Sequence, residues 1–235
     1  APVRWQREPA LGAGGHCAGR AVEVTQDQVT HLPHCPAADR NKQPILDVLR
    51  EVLPAQGSAL EIASGTGQHV TWFAAGMPQW IWQPTDWQAD ALPDIAERVA
   101  LERLANVRPP VQLDVMEPRW LAGRAQQETP RFDAIYCANM LHIAPWSTCT
   151  ALMQGSARHL VPDGVLITYG PYLEDDVPTS AGNVDFDQSL RAQNPDWGIR
   201  RREEVALEAT RAGLRLFARH AMPANNLLLV WTRGS

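Results

Sequence analysis

Ser64-Gly65-Thr66-Gly67 is a stretch whose residue types suggest chemistry. Its two glycines directly follow the apolar run Ala59-Leu60-Glu61-Ile62-Ala63. Glycines there let the backbone turn sharply and approach a ligand closely. The residues beyond the turn weaken two phosphate-binding readings. Val70 stands where a dinucleotide fingerprint carries its third glycine, and no lysine follows Gly67 as a phosphate loop requires. A nucleoside with an amino- and carboxylate-bearing tail, such as S-adenosylmethionine (SAM), fits this turn better than NAD or ATP. Glu61, at the end of the apolar run, can reach an amino group.

Asp86 follows a second apolar run, nineteen residues after Gly67. That offset suits an acid accepting both ribose hydroxyls. Asp114 and Val115 end a third run, where a carboxylate can accept from an adenine amino group. An isolated aspartate is equally explained by a turn or a helix cap. Three successive strand-end features agreeing on one nucleoside are more specific than any one of them. The candidate cofactor set is therefore Glu61, Ser64, Gly65, Thr66, Gly67, Asp86, Asp114 and Val115, with Asn139 added from the next strand end.

A fourth run is followed by Asn139-Met140-Leu141-His142-Ile143. The Asn139 amide can bond a substrate or the methionine moiety of SAM. His142 titrates near neutrality and can act as a general base, although a lone histidine in an apolar setting is more often structural. Tyr172, after the fifth run, can orient a substrate, and a packed aromatic is the equal alternative. Asn139, His142 and Tyr172 are the catalytic candidates. No metal ligand set is evident.

These residues need a scaffold that brings strand ends together. Strand-like runs occur at 59–63, 80–84, 111–115, 132–138, 165–170, 214–220 and 227–231. Helical stripes separate most of them, at 95–104, 147–160 and 203–212, with a further helix after Gly67. A helix before the first strand is expected to start near Asp39 or Asn41, with Pro44 in its first turn. Alternating strands and helices imply a mostly parallel sheet covered on both faces. The last two runs are joined too tightly for a crossover, so the final strand must run antiparallel. The expected fold is a Rossmann-like α/β domain with a seven-stranded sheet and one antiparallel strand near its edge. Residues 183–197 read as an inserted lid or substrate loop. Asn225-Asn226 suit a turn on the same sheet edge as Asn139.

The whole chain sets outer bounds. Its 235 residues suit one α/β domain with an extension, and its net charge of -5 suggests no duplex nucleic acid partner. Arg200-Arg201-Arg202, the densest basic run, reads as a solvated helix start. Cys17, Cys35, Cys137 and Cys149 form no CxxC pair, so reduced thiols in a cytoplasmic protein are expected. No apolar stretch is long enough to span a membrane, and the first residues lack the apolar core of a signal peptide. Residues 1–36, rich in Gly, Pro and His, read as an arm able to fold over the site as a lid, and 37–235 as the SAM-binding domain.

Several stretches together resemble a known family. They are Pro36-Ala37-Ala38-Asp39-Arg40-Asn41-Lys42, Leu60 to His69, Trp82-Gln83-Pro84-Thr85-Asp86, Cys137 to Ile143, Tyr169-Gly170-Pro171-Tyr172 and Met222-Pro223-Ala224-Asn225-Asn226. The pattern, running from about Pro36 to Trp231, is similar to domain-of-unknown-function family 938, whose animal members are called methyltransferase-like 26. The resemblance implies a class I SAM-dependent methyltransferase fold. It matches Gly65 and Gly67 to the cofactor loop, Asp86 to the ribose acid and Asp114 to the adenine-side acid, and leaves the roles of Asn139, His142 and Tyr172 unassigned. It supplies no substrate.

The leading expectation is methyl transfer from SAM to a small molecule, releasing S-adenosylhomocysteine (SAH). An alternative keeps the cofactor and cyclises it to azetidine-2-carboxylate, releasing methylthioadenosine. A third is a non-catalytic binding module, which the nine tryptophans would favour if they were exposed.

Overall fold

The computed structural model describes residues 32–121 and 129–234. Most of the expected arm, residues 1–31, lies outside the described residues.

The chain runs α1 (Pro36–Val52), β1 (Gly57–Ile62), α2 (Gln68–Gly76), β2 (Trp80–Asp86), α3 (Leu92–Leu101), β3 (Val111–Gln112), β4 (Phe132–Ala138), α4 (Trp146–His159), β5 (Leu160–Leu173), α5 (Ala181–Gln193), β6 (Arg200–Arg201), α6 (Arg202–Arg211), β7 (Leu214–Met222) and β8 (Asn226–Arg233). The strands form one sheet in the order β3-β2-β1-β4-β5-β8-β7, with β6 pairing beside β5. β1 to β5 pair in parallel, and β8 runs antiparallel to both β5 and β7. The order reverses direction at β1 and β4, where open α/β sheets bind their ligands. The sheet is eight-stranded rather than seven-stranded. The extra member, β6, is two residues long, too short to leave an apolar run in the sequence.

Both faces are covered, as the burial pattern of the strands requires. On one face α1, α2 and α3 supply Ile45, Leu49, Val70, Phe73 and Ile95 against Trp82, Tyr136, Ile167 and Val230. On the other, α4 and α6 supply Leu152, Met153, Val205 and Ala209 against Leu60, Ile135, Leu166 and Trp231. Trp80, Trp82, Trp120 and Trp231 are among the largest fully buried side chains, whereas Trp72 and Trp87 are exposed. These four buried tryptophans fill the two cores. β7 alternates exposed and half-buried positions between its buried ends, as an edge strand with one wet face does.

Several boundaries differ from the sequence expectation. α1 begins at Pro36, and Cys35 caps it by accepting from the Ala38 amide through Sγ. Pro36 is as good a first-turn residue as Pro44, which sits inside the helix. Asn41 is consequently not a cap but an inward-facing, buried residue. Cys35 is also disulfide-bonded, against the expectation of four reduced thiols, because sequence spacing does not report which cysteines approach in space. Cys137 and Cys149 are free and buried. The third strand stops at Gln112, and the chain turns at Asp114. The segment expected as an inserted loop is largely the helix α5, capped by Ser180, whose Oγ accepts from Asn183 N. Asn225 lies in the expected turn between β7 and β8, and Asn226 opens β8.

Among the described residues no helix is long and apolar enough to cross a membrane.

Candidate functional site

The turn after β1 is held by hydrogen bonds to β2. Ser64 N donates to Thr85 O at 2.8 Å, and Thr85 N returns a bond to Ser64 Oγ at 3.1 Å. The Thr85 hydroxyl donates to Glu61 O at 2.6 Å. The backbone is left-handed at Ala63, Gly65 and Gly67, with φ of 57°, 57° and 75°. The two glycines differ in purpose. A Cβ on Gly67 would stand 3.3 Å from Ile95 Cα, so this glycine lets α2 start against α3. A Cβ on Gly65 would meet no described residue within 4 Å, so among the described residues the space above Gly65 is open to a ligand.

Asp86, at the end of β2, is brought to this turn. Its Oδ2 accepts from Gly65 N and its Oδ1 from Gln88 N, both at 2.9 Å. Each carboxylate oxygen keeps further acceptor capacity for a hydroxyl. Burial raises the Asp86 pKa, and the Gln88 and Gly65 amides oppose that rise. Glu61 lies one strand away and is 2% exposed. Burial pushes its pKa up to about 8, a hydrogen bond from Ser64 opposes this, and the Asp86 charge adds to it. Glu61 Oε2 is buried and has no hydrogen-bond partner among the described residues. An orphaned buried carboxylate oxygen calls for a donor, and a ligand ammonium group would be one.

Thr66 lies under an arginine clamp. Arg98 Nε donates to Thr66 O at 2.8 Å and its terminal nitrogen to Pro33 O at 2.7 Å. Gln68 Oε1 accepts from Cys35 N at 2.6 Å and from the Thr66 hydroxyl at 2.9 Å. The few described residues before α1 therefore run along the glycine turn. Asp114 is exposed just after β3, with Oδ1 accepting from Met116 N at 2.9 Å. Val115 faces inward, packed in the core with Leu113 and Trp120.

At the next strand ends, Asn139 and His142 meet. Asn139 is left-handed, with φ of 55°, and its N–H donates to Tyr169 O at 2.8 Å. Asn139 Oδ1 and His142 Nδ1 both lie beside Gly170, 3.5 Å and 3.6 Å from where its Cβ would be. His142 is buried, and the Phe186 ring of α5 meets it edge-on at 5.5 Å. The His142 carbonyl accepts from Gly198 N at 3.0 Å. The segment after β5 thus does reach the site, as a helix that covers His142. Tyr172 is placed differently. Its hydroxyl donates to Thr168 Oγ1 at 2.9 Å, four residues back along β5. Trp231 Nε1 donates to the same oxygen at 3.0 Å. The Tyr172 hydroxyl therefore points back into the core and not to the strand end.

A second polar cluster lies on the α1 and α2 side of the same edge. His69 Nε2 stands 2.6 Å from Asn41 Oδ1, and the Tyr136 hydroxyl is 3.3 Å from His69 Nδ1. Tyr169 completes the cluster: burial raises its phenol pKa, and the nearby Asn41 side chain opposes that rise. All four side chains are buried. Burial lowers the His69 pKa to about 4, helped by the nearby Lys42 charge and opposed by the Ala38 carbonyl. His69 also stacks on Phe73 at 5.3 Å. None of these four stands out in the sequence as a site residue. Asn41 reads there as a cap, and Tyr136 and Tyr169 lie inside strand runs. The available signal is that Asn41, His69 and Tyr169 each fall within a stretch carrying the family resemblance.

Solved structures share this fold at low sequence identity. An O-methyltransferase family protein from Burkholderia thailandensis aligns with a TM-score of 0.66 and 18% identity, over 83% of this chain and 56% of its own. CalO1, a methyltransferase in calicheamicin biosynthesis solved with SAH bound, gives 0.66 and 15%, over 84% and 54%. An O-methyltransferase family 2 protein from Planctomyces limnophilus, in complex with apigenin, gives 0.65 and 17%, over 82% and 61%. The chain thus spans little more than half the length of these proteins. The likeness is one of fold, that of class I SAM-dependent methyltransferases. A family model fits far more of the chain than any single motif does. It matches residues 32–233, and the chain belongs to that family, DUF938, proteins of unknown function.

Proposed function

We propose that this chain binds SAM at the carboxyl ends of β1, β2 and β4 and transfers its methyl group to a small molecule. The observation that carries the proposal is the Gly65 amide locked onto Asp86 Oδ2, with open space above Gly65 and the orphaned Glu61 oxygen nearby. The residues fit the group. Asp86 would take the ribose hydroxyls, Glu61 the amino group, and Ser64 to Gly67 the main-chain approach. Asp114 would meet the adenine edge, Val115 would support that wall from the core, and Asn139 would hold the methionine end.

SAM, when bound, supplies an electrophilic methyl group on a sulfonium centre. The protein's share is mainly placement, because in-line displacement depends on the reacting atoms being held close and aligned. Asn139 is fixed for that task by its main-chain bond to Tyr169. His142, walled in by Phe186, is a group beside Asn139 able to take a proton from a protonated nucleophile. The burial of Glu61 and His142 supports a site that excludes water.

Calorimetry tests the proposal. SAH should bind the wild-type protein, and Asp86→Ala should lose that binding. SAH formation from SAM should then depend on a small-molecule acceptor in a screened panel. Absence of SAM and SAH binding, with Asp86→Ala making no difference, sinks the reading. Methylthioadenosine appearing without any acceptor would replace transfer with internal cyclisation.

A further inference from the structure

We propose that Arg200 is the positioning residue of the acceptor side of the site, its guanidinium setting where the His142 ring stands beside Asn139. The proposal rests on the methyltransferase reading and names the group that holds the proton-accepting side chain of that reading in place.

The three arginines of the basic run separate in the fold. Arg201 is exposed and pairs with Asp175 at 2.7 Å, and Arg202 pairs with Glu174 at 3.0 Å. Arg200 is half-buried instead, with its guanidinium carbon 5.7 Å from the centre of the Trp146 ring at the start of α4.

Main-chain carbonyls receive that guanidinium. Leu141 O accepts from Arg200 Nε at 3.0 Å, and Ala144 O accepts from a terminal nitrogen at 2.5 Å. The same nitrogen donates to Asp196 O at 2.7 Å. Between the two held carbonyls, His142 O accepts from Gly198 N at 3.0 Å. Residues 198–200 thus hold Leu141, His142 and Ala144 by their carbonyls. Leu141–Ile143 is a single 3₁₀ turn, whose own hydrogen bonding is poor in geometry. Arg200 is itself fixed. Its backbone pairs with Tyr172 as β6 lies beside β5. Ile199 N donates to Asp187 Oδ1 at 2.7 Å, and Asp187 Oδ2 accepts from Arg191 Nε at 2.8 Å, so α5 holds the segment too.

A grip on the main chain decides where the ring stands. The His142 ring lies with Asn139 Oδ1 beside Gly170 and meets Phe186 edge-on, and a tilt of the turn carries it away from both. A displacement of about 1 Å in a reacting group can cost on the order of a hundredfold in rate. Arginine suits the task because its planar fork presents several N–H donors at fixed angles, whereas lysine offers a point charge on a flexible stem. The cofactor side hangs on other bonds, those of Ser64 and Gly65 to β2. Arg200 therefore acts on the acceptor side through His142.

NMR of protein carrying Cε1-labelled histidine tests this, with and without saturating SAH. The His142 signal is assigned by His142→Gln. Arg200→Lys keeps the charge, so a displaced His142 signal reports position and not field. Arg233→Ala is the control, because Arg233 makes the same kind of bond at the other end of α4, to Ala157 O at 2.5 Å and Leu160 O at 3.0 Å. Arg200→Lys should displace or split the His142 signal, and the Gly198 amide should exchange about tenfold faster, the worth of roughly one hydrogen bond. Its SAH affinity should match that of wild type. Arg233→Ala should lower the melting temperature and leave both readings in place. An unmoved His142 signal in Arg200→Lys, an equal displacement in Arg233→Ala, or loss of SAH binding in Arg200→Lys overturns the proposal. Wild-type protein alone gives a further arm. Arg200 Nε–H should exchange with water about tenfold more slowly than that of the exposed Arg201, and equal rates overturn the proposal. Failure of SAH to bind wild type counts against the methyltransferase reading instead, and the readings on free protein still decide the role of Arg200.

Discussion

The two halves of the site are built from different materials. Around Gly65 and Asp86 the structure uses main chain. The turn is left-handed at three positions, its amides are tied to β2, and the one committed side chain accepts from backbone N–H groups. Around His69 the structure uses side chains, and His69 joins Asn41 of α1 to Tyr136 of β4. The two halves also bury charge differently. Glu61 is a carboxyl raised to about 8, and His69 an imidazole lowered to about 4, each chiefly by burial. Burial disfavours the charged form in both cases, and so drives an acid and a base in opposite directions. A main-chain site suits a cofactor of fixed shape.

The largest expected effect lies on the main-chain side. Asp86→Ala should weaken SAH binding by about a hundredfold, from the loss of two hydrogen bonds to a charged group. Calorimetry checks this, and an affinity within threefold of wild type breaks the contrast between the two halves.

Glu61→Gln compares the two buried titrating groups directly. The Glu61 pKa is raised from 4.5 to about 8, so the folded state holds a proton that the unfolded state has lost. Its contribution to stability therefore falls as pH rises through that window, at about 1.4 kcal/mol per pH unit. His69 is lowered from 6.5 to about 4, so its contribution has the other sign and is lost as pH falls from 6.5 towards 4. Between about pH 4.5 and 6.5 the two slopes oppose each other, and from 6.5 to 8 the Glu61 slope stands alone. Asp86, also raised, adds to the Glu61 sign at the acid end. In Glu61→Gln, denaturant midpoints should rise with pH up to about 6.5 and then level off. A fall between pH 6.5 and 8 as steep as that of wild type refutes this. Wild-type protein should also release a proton on binding SAH near neutral pH, detectable by calorimetry in buffers of different ionisation enthalpy.

A finer split separates the two glycines. Gly67→Ala should lower stability by about 2 kcal/mol, from its left-handed φ and the contact with Ile95. Gly65→Ala should cost about 1 kcal/mol, from φ alone, yet weaken SAH binding more, because its methyl group enters open space. Thermal melts and calorimetry on the pair would show whether the losses are exchanged instead.

The smallest effect should come from Tyr172→Phe. Its hydroxyl serves Thr168 in the core, so a loss of about 1 kcal/mol in stability is expected, with SAH affinity and turnover unchanged. A drop in turnover without loss of stability would return Tyr172 to the reaction edge.

The mostly parallel sheet, the glycine turn after its first strand and the acid after its second were legible in one dimension. Local apolar runs, turn glycines and an acid at a fixed offset are short-range signals, and a strand end carries them without knowledge of its neighbours. The same signals placed Asn139 and His142 at one edge. Long-range contacts settled the remainder. Tyr172 and Tyr169 stand three residues apart on one strand, and the alternation of faces sends Tyr172 into the core under α4 and α6 and Tyr169 into the core under α1 and α2. Asn41 resembles a helix cap because capping is a local property. Its actual partner is 28 residues away in sequence, across α1 and α2. Such a bond depends on which groups the tertiary fold brings together, and no spacing in one dimension records that.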